Sequence, residues 1–200
     1  MRFFLLKPPE KFAGFASFSH VGTWTDGKIC DACGQGTSRL TEPLLIEWDP
    51  GSDRIGDFSW CGYSFVVPPG VVTYFEQNSL ACSFGRTQVI KPTEKTKLPR
   101  VPYPYQGVRL SWAIGESMVN MDVDRSGTQL DSDCAQCGQR HYTFVRQGIV
   151  VPISEWHGQA VFLLKQFEKS GAMFVTEDTL QGLISAGFTN IGYMHAGTIE

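Results

Sequence analysis

Short apolar runs and runs of alternating apolar and polar residues recur along this chain, and they predict a protein built mainly from β-strands. Most runs are bounded by glycine, proline or polar residues, which favour turns. The predicted strands are Arg2–Leu6, Leu44–Trp48, Tyr63–Val67, Val108–Trp112, Met118–Val123, Tyr142–Val145, Val161–Leu164 and Phe188–Met194.

Two segments instead have the apolar spacing of a short amphipathic helix. One is predicted to begin at Pro68-Pro69 and to end near Asn78. The other follows Thr176, a suitable N-cap, and Gly187 can end it in a left-handed conformation. The residues predicted to face the core are Val71, Val72 and Phe75 on the first helix and Leu180, Leu183 and Ile184 on the second.

Two sets of matching residues suggest that the second half of the chain repeats the first. Cys30-Asp31-Ala32-Cys33-Gly34-Gln35 is echoed by Cys134-Ala135-Gln136-Cys137-Gly138-Gln139. Further on, Phe58, Gly62, Phe65 and Val66 are echoed by Phe167, Gly171, Phe174 and Val175. The sequence therefore predicts an α+β fold with two pseudo-repeated, β-rich halves. Each half contains a CxxCG knuckle, strands, one short helix and a closing strand.

The same pattern predicts a single domain over residues 1–200, with halves at about 1–90 and 107–200. The connecting segment, 91–106, contains four prolines and is predicted to be extended rather than helical. Its cationic residues are expected to be solvated, and they are Lys91, Lys95, Lys97 and Arg100.

Composition and charge narrow the possible classes of protein. Hydrophobic residues make up 42% of the chain, which excludes a wholly disordered protein. The net charge of −3 gives no general argument for nucleic-acid binding. No apolar run reaches the length of a signal peptide core or of a transmembrane helix. We therefore expect a cytoplasmic protein that does not enter the membrane.

The paired cysteines carry the clearest chemical signal. Two residues between cysteines let both thiolates face one ion, and a glycine after the second cysteine permits the turn. Cys30, Cys33, Cys134 and Cys137 together predict one structural zinc ion per chain. Thioredoxin-like redox chemistry is the competing interpretation, and His141 is the obvious substitute if one thiolate ligand is replaced. Cys61 and Cys82 stand alone in apolar surroundings and are expected to be buried free thiols.

Motifs of catalysis are absent from the sequence. There is no HExxH motif, no GxSxG elbow, no phosphate-binding GxxxxGK[ST] loop, and neither cysteine pair follows the proline of a zinc deaminase. The remaining histidines are scattered among aromatic residues. The sequence therefore does not predict an enzyme.

In its paired cysteine motifs and in two further segments, the chain resembles the bacterial double-CxxCG-motif family. The resemblance rests on both cysteine pairs, on Ile55-Gly56-Asp57-Phe58-Ser59-Trp60 and on the ending Gly197-Thr198-Ile199. Cys61 departs from it, since members often have proline between this tryptophan and glycine. Members include immunity proteins for toxins that kin cells exchange during swarming. The resemblance implies a zinc-containing cytoplasmic antidote that binds one cognate toxin domain, often a nuclease.

Acidic residues are the candidates for toxin binding, because the substrate groove of a nuclease is basic. Two segments, 42–57 and 120–133, carry a net negative charge, and the candidates chosen from them are Asp49, Asp53, Asp57, Asp122, Asp124, Asp131 and Asp133. They can equally be solvated turn residues. The alternative functions are a nucleic-acid-associated zinc-ribbon protein, which the acidic balance argues against, and a thiol or metal enzyme.

Overall fold

The computed structural model describes residues 1–10, 14–22, 27–34, 36, 40–61, 64–93 and 101–200. The strands are β1 (Arg2–Lys7), β2 (Phe18–His20), β3 (Leu44–Trp48), β4 (Ser59–Cys61), β5 (Ser64–Val67), β6 (Cys82–Ile90), β7 (Ser111–Gly115), β8 (Met118–Val119), β9 (Leu130–Asp133), β10 (Arg140–Tyr142), β11 (Ile149–Val151), β12 (Val161–Leu164), β13 (Phe174–Thr176) and β14 (Gly192–Ile199). The α-helices are α1 (Pro69–Gln77) and α2 (Glu177–Ser185), and 3₁₀ turns lie at Ile153–Glu155 and Lys165–Ser170. The mixture of many strands and two short helices confirms the predicted α+β class.

Twelve of these strands form two six-stranded sheets. One sheet has the order β11-β14-β1-β13-β12-β8, and the other closes into a barrel with the order β2-β3-β6-β7-β5-β4. The barrel closes because β2 pairs antiparallel with β3 and parallel with β4. Strands β9 and β10 form a separate antiparallel hairpin.

The two sheets contain the same series of strand pairings. In the barrel, β3 is parallel to β6, the steps from β6 through β7, β5 and β4 are antiparallel, and β4 is parallel to β2. In the open sheet, β11 is parallel to β14, the steps through β1, β13 and β12 are antiparallel, and β12 is parallel to β8. The third strand of each series comes from the other half of the chain. In the barrel this strand is β7, which lies among N-terminal strands, and in the open sheet it is β1, which lies among C-terminal strands.

A central apolar cluster joins both sheets and both helices. It includes Trp60, Phe65, Phe75, Val161 and Leu183, all of which are buried. A second cluster fills the open sheet, where the Phe3 ring lies 5.4 Å from Phe162 and 5.8 Å from Phe174, both edge to face. A third fills the barrel around Trp48. The two sheets therefore share one buried apolar cluster in addition to the cluster that each has of its own.

Several sequence predictions hold in detail, and others shift by a few residues. The predicted bounds of β3 and β12 are correct to the residue. The closing strand predicted at Phe188–Met194 begins only at Gly192. The reason is that Thr189 donates its N–H (2.7 Å) and its hydroxyl (2.6 Å) to the Asp57 carboxylate, and Asn190 has a φ of +59°. These bonds hold residues 189 and 190 against the barrel and out of the sheet.

Strand β8 is shorter than predicted, and β7 lies three residues further along the chain than predicted. After Val119 the backbone of Met121 bonds with the side chain of Gln166 instead of with a strand, at 3.2 Å and 3.3 Å. The hairpin strand predicted at Tyr142–Val145 ends at Tyr142. Six strands have no counterpart in the list of predicted strands, and they are β2, β4, β6, β9, β11 and β13.

The helices begin and end close to their predicted bounds, with two differences in detail. Ile184 is 39% exposed and does not face the core, unlike Leu180 and Leu183. Thr176 makes no side-chain bond to the helix backbone, because its hydroxyl bonds with that of Thr179 at 2.9 Å. Gly187 has the predicted left-handed conformation, with a φ of +75°.

The proposed correspondence between the halves is wrong at one pair of positions. Phe58 precedes β4, whereas Phe167 follows β12, so the two do not occupy equivalent places. Trp60 on β4 pairs with Phe65 on β5, and Phe162 on β12 pairs with Phe174 on β13. Predictions for some residues lie outside the described part of the chain, and those residues are Gln35, Gly62, Tyr63, Lys95, Lys97, Pro99 and Arg100.

The connecting segment is described at 91–93 and 101–106, and it contains no helix there, as predicted. These residues do not form a β-strand either. Among the helices of the described chain, none combines the length and apolar character needed to cross a bilayer.

Candidate metal centre

Both CxxCG segments form tight turns of the same geometry. The N–H of Gly34 donates to the carbonyl of Cys30 at 2.7 Å, and the N–H of Gly138 donates to that of Cys134 at 2.7 Å. The two glycines have φ values of +68° and +69°, a left-handed conformation that side chains with a Cβ rarely adopt. Glycine at these two positions therefore fixes the shape of each turn.

Short antiparallel pairings hold the ends of each turn together. Ile29 forms an isolated bridge with Gly36 around the first turn. The hairpin of β9 and β10 surrounds the second, with Asp133 opposite Arg140 and the N–H of Cys134 donating to the carbonyl of Gln139 at 2.9 Å. Each cysteine pair is thus presented from the tip of a small antiparallel structure.

The fold brings the four cysteines of the two turns together. All four Sγ atoms lie within 4.8 Å of one another, although the pairs are 104 residues apart in sequence. The closest cross-contacts are 3.7 Å between Cys30 and Cys134 and 3.7 Å between Cys33 and Cys137. A tetrahedral ion with sulfur ligands at about 2.3 Å requires sulfur separations of about 3.8 Å. The four thiols are therefore positioned to hold one metal ion.

Electrostatics at the cluster also favour a cation. Hydrogen bonds from the backbone N–H and then the thiol of Cys137 lower the pKa of Cys134 to about 6. The backbone N–H of Gln139 lowers the pKa of Cys137, but desolvation and the other thiols outweigh it and raise that pKa to about 12. One thiolate forms readily while its neighbour keeps its proton, because adjacent negative charges repel. A divalent cation would relieve this repulsion and replace the protons.

The remaining two cysteines lie elsewhere and are free thiols; Cys61 is buried as predicted, whereas Cys82 is only partly buried. Burial, with a smaller contribution from Asp49, raises the pKa of Cys61 to about 12. Burial likewise raises the pKa of Cys82 to about 12, against a lowering backbone hydrogen bond from Ile114. Both thiols are therefore protonated at neutral pH and unsuited to metal binding.

His141, the alternative ligand, lies on β10 but does not belong to the cysteine cluster. Its buried Nε2 has no hydrogen-bond partner within the described chain. Since all four cysteines converge, no position is left for a histidine to fill.

Most of the acidic residues predicted to bind a toxin have partners within the molecule. Asp49 accepts from Ser19 at 2.6 Å, Asp122 from the N–H of Arg125 at 3.0 Å, and Asp131 from Thr143 at 2.9 Å. Asp57 accepts from Thr189, and Asp133 forms an ion pair with Arg140 at 2.9 Å. Asp53 and Asp124 are exposed. Among the described residues, the only group of three or more potential metal ligands is the cysteine cluster, so these carboxylates do not form a second cation site.

A large cavity that the sequence did not predict opens beside the second cysteine turn. Its volume is about 1080 Å³, and its lining runs from β1 through Gly138–Tyr142 to the 3₁₀ turn at Lys165–Ser170. The lining residues are spread over most of the chain, so no local sequence pattern could have identified it.

Comparison with known proteins adds no assignment. No protein-family model and no curated protein matches this sequence.

Proposed function

We propose that Cys30, Cys33, Cys134 and Cys137 bind one structural zinc ion per chain. The support is the sulfur geometry, because four thiolates in a tetrahedral arrangement are typical of structural zinc, with iron as the other common occupant. When bound, the ion supplies a cross-link between two turns that are distant in sequence. Four protein ligands leave no open position for a substrate, which argues for a structural rather than a catalytic role.

We also propose that the chain is an internal pseudo-repeat whose halves have exchanged one strand. The matching series of five pairings in the two sheets supports this interpretation, as does the shared geometry of the cysteine turns. In such an arrangement β1 and β7 are equivalent strands, and each completes the sheet of the other half. The zinc ion then joins the two knuckles, one from each half.

We infer that the protein is a zinc-stapled cytoplasmic immunity protein, which binds and neutralises a cognate bacterial toxin domain. The observation that carries this inference is the convergence of two CxxCG turns on one site. It accounts for the motif on which the resemblance to the double-CxxCG family rests. A closed metal site further suits a binding protein better than an enzyme.

The direct test starts from the genes that flank this one, where the proposal expects a toxin domain, and measures protection of cells from that domain. Co-expression with the immunity candidate should restore growth, and the two purified proteins should co-elute as a complex in size-exclusion chromatography. Expression of the toxin domain alone and with an unrelated zinc protein provides the controls. Absence of both protection and complex formation, with toxin expression verified, would contradict the proposal.

A second candidate function is nucleic-acid binding next to the metal site. Arg140 and Arg146, close in sequence to the second cysteine turn, are exposed cations and favour it. The carboxylates of Asp131 and Asp133 on the same hairpin oppose it, because they repel phosphate. Binding of short oligonucleotides by the purified protein, in the absence of toxin binding, would favour this alternative.

The acidic residues remain a prediction for docking to a basic toxin. If they form the docking surface, the double variant Asp131→Lys/Asp133→Lys should slow association about tenfold at low salt and flatten its salt dependence, because steering by opposite charge is lost. Stopped-flow or biosensor kinetics with the toxin domain would measure this. The control Glu76→Lys/Glu116→Lys makes the same charge change at exposed residues elsewhere. Wild-type association of the Asp131/Asp133 variant, with unchanged metal content, would exclude these residues from docking.

A further inference from the structure

The cavity beside the second cysteine turn has an apolar floor. Leu5, Trp60 and Phe167 line it and are each less than one-tenth exposed. On its wall, Phe144 is 41% exposed, and its ring lies 4.7 Å from that of Phe167 in an edge-to-face contact. This contact fixes the orientation of an aromatic side chain that remains open to solvent. The floor and wall therefore offer a preformed apolar surface to a ligand.

The rim of the same cavity is cationic. Its charged side chains are Lys7, Arg140, Arg146 and Lys165, against a single carboxylate, Glu168. This excess of positive charge contrasts with the net charge of −3 for the whole chain. Charge of one sign is thus concentrated around one concave surface, which attracts ligands of opposite charge.

Two of these cations are available to a ligand. Lys7 lies 3.4 Å from Glu10, and Arg140 lies 2.9 Å from Asp133, so both already have a carboxylate partner. Arg146 and Lys165 are exposed and form no ion pair within the described chain. A bound carboxylate could pair with each of them without displacing an internal partner.

We propose that this cavity, called the groove below, binds an acidic peptide segment of a protein partner. Apolar side chains of the segment pack on Phe144 and the floor, and its carboxylates pair with Arg146 and Lys165. The inference rests on the proposed function in one respect, that the partner is the toxin. The groove adjoins the acidic hairpin at the Asp133–Arg140 ion pair, so one partner can contact both surfaces.

A single-stranded nucleic acid fits these observations less well. Base stacking requires a whole aromatic face to be open, whereas Trp60 and Phe167 expose less than one-tenth of their surface, which suffices only for contact with a small apolar side chain. The neighbouring carboxylates of Asp131 and Asp133 and the net negative charge also repel a polyanion, and they repel it more strongly than a peptide with a few carboxylates. A short acidic peptide with apolar anchors therefore fits the groove better.

The test compares the wild type with Arg146→Glu/Lys165→Glu and with the control Lys91→Glu/Arg109→Glu. Both variants change the net charge by the same amount at exposed positions, but only the first alters the groove. With the toxin domain as the probe, the groove variant should lose at least about tenfold in affinity, since two favourable charge pairs become repulsive. The control should stay within about twofold of the wild type. Unchanged metal content and thermal midpoint would show that the groove variant is folded. Equal affinity of the groove variant and wild type would overturn the inference.

Selection from a random peptide library tests the groove without the toxin. Selection on the metal-loaded full chain, with counter-selection on Arg146→Glu/Lys165→Glu, should enrich sequences that combine acidic and apolar residues. Enrichment without an acidic bias, or none at all, would overturn the inference. So would a short oligothymidylate that binds the groove more tightly than the selected peptides. If the wild type fails to bind the toxin yet selects acidic peptides, the proposed function fails and the groove inference stands.

Discussion

Replacement of Cys134 by serine is expected to abolish tight metal binding and to lower the thermal midpoint by about 10 °C or more. Cys134 is the buried member of the cluster, and its Sγ lies 3.7 Å from that of Cys30 across the two turns. A serine hydroxyl is a poor substitute for a thiolate, so the variant loses one of four ligands. Structural zinc contributes about 10–16 kcal/mol in small peptides, and about 1 kcal/mol corresponds to about 2–4 °C in a chain of this size. Loss of only part of this contribution is enough for the expected shift.

Metal analysis and calorimetry of the purified protein would measure both effects. The wild type should contain about one zinc ion per chain, and a coloured, iron-containing protein would revise the identity of the metal while retaining the site. Cys82→Ser is the matched control, because it removes a thiol outside the cluster and should leave the metal content unchanged. A Cys134→Ser protein with full zinc content, or a wild type whose resting state is a Cys30–Cys33 disulfide, would contradict the metal assignment.

Neither half of the chain is expected to fold when it is expressed alone. A fragment of residues 1–93 lacks β7, which lies between β5 and β6 in the barrel. A fragment of residues 101–200 lacks β1, which lies between β13 and β14 in the open sheet. In each case the gap falls in the middle of a sheet and exposes backbone groups on two strands, which is costly. Each fragment also retains only one of the two cysteine pairs.

Mixing the two fragments with zinc should restore the fold. We expect a cooperative thermal transition and one zinc ion per fragment pair, measured by near-ultraviolet circular dichroism and metal analysis. A Phe3→Asp variant of the first fragment is the control, because Phe3 is fully buried between Phe162 and Phe174 of the other half. This variant should fail to reassemble. A cooperative transition of residues 101–200 alone would show that β1 is not needed for that sheet.

The sequence by itself determined the local features whose signals lie within a few neighbouring residues. The strands Leu44–Trp48 and Val161–Leu164 follow from short apolar runs, and the helix before Gly187 follows from its apolar spacing and its terminal glycine. The α+β class follows from these elements together. The four cysteines could also be identified in advance, because two CxxCG motifs in one chain supply the four thiolates of a structural metal site.

The pairing of distant segments was decided only by the tertiary structure. Nothing near Arg2–Lys7 indicates that this strand lies between strands 170 to 200 residues further on, because strand pairing depends on backbone groups that every sequence has. The start of β14 depends on Asp57, which bonds to Thr189 across the fold. The cationic groove likewise combines Lys7, Arg146 and Lys165 from separate elements. Local sequence sets which residues form a strand or turn, while burial of shared apolar surface sets which of them meet.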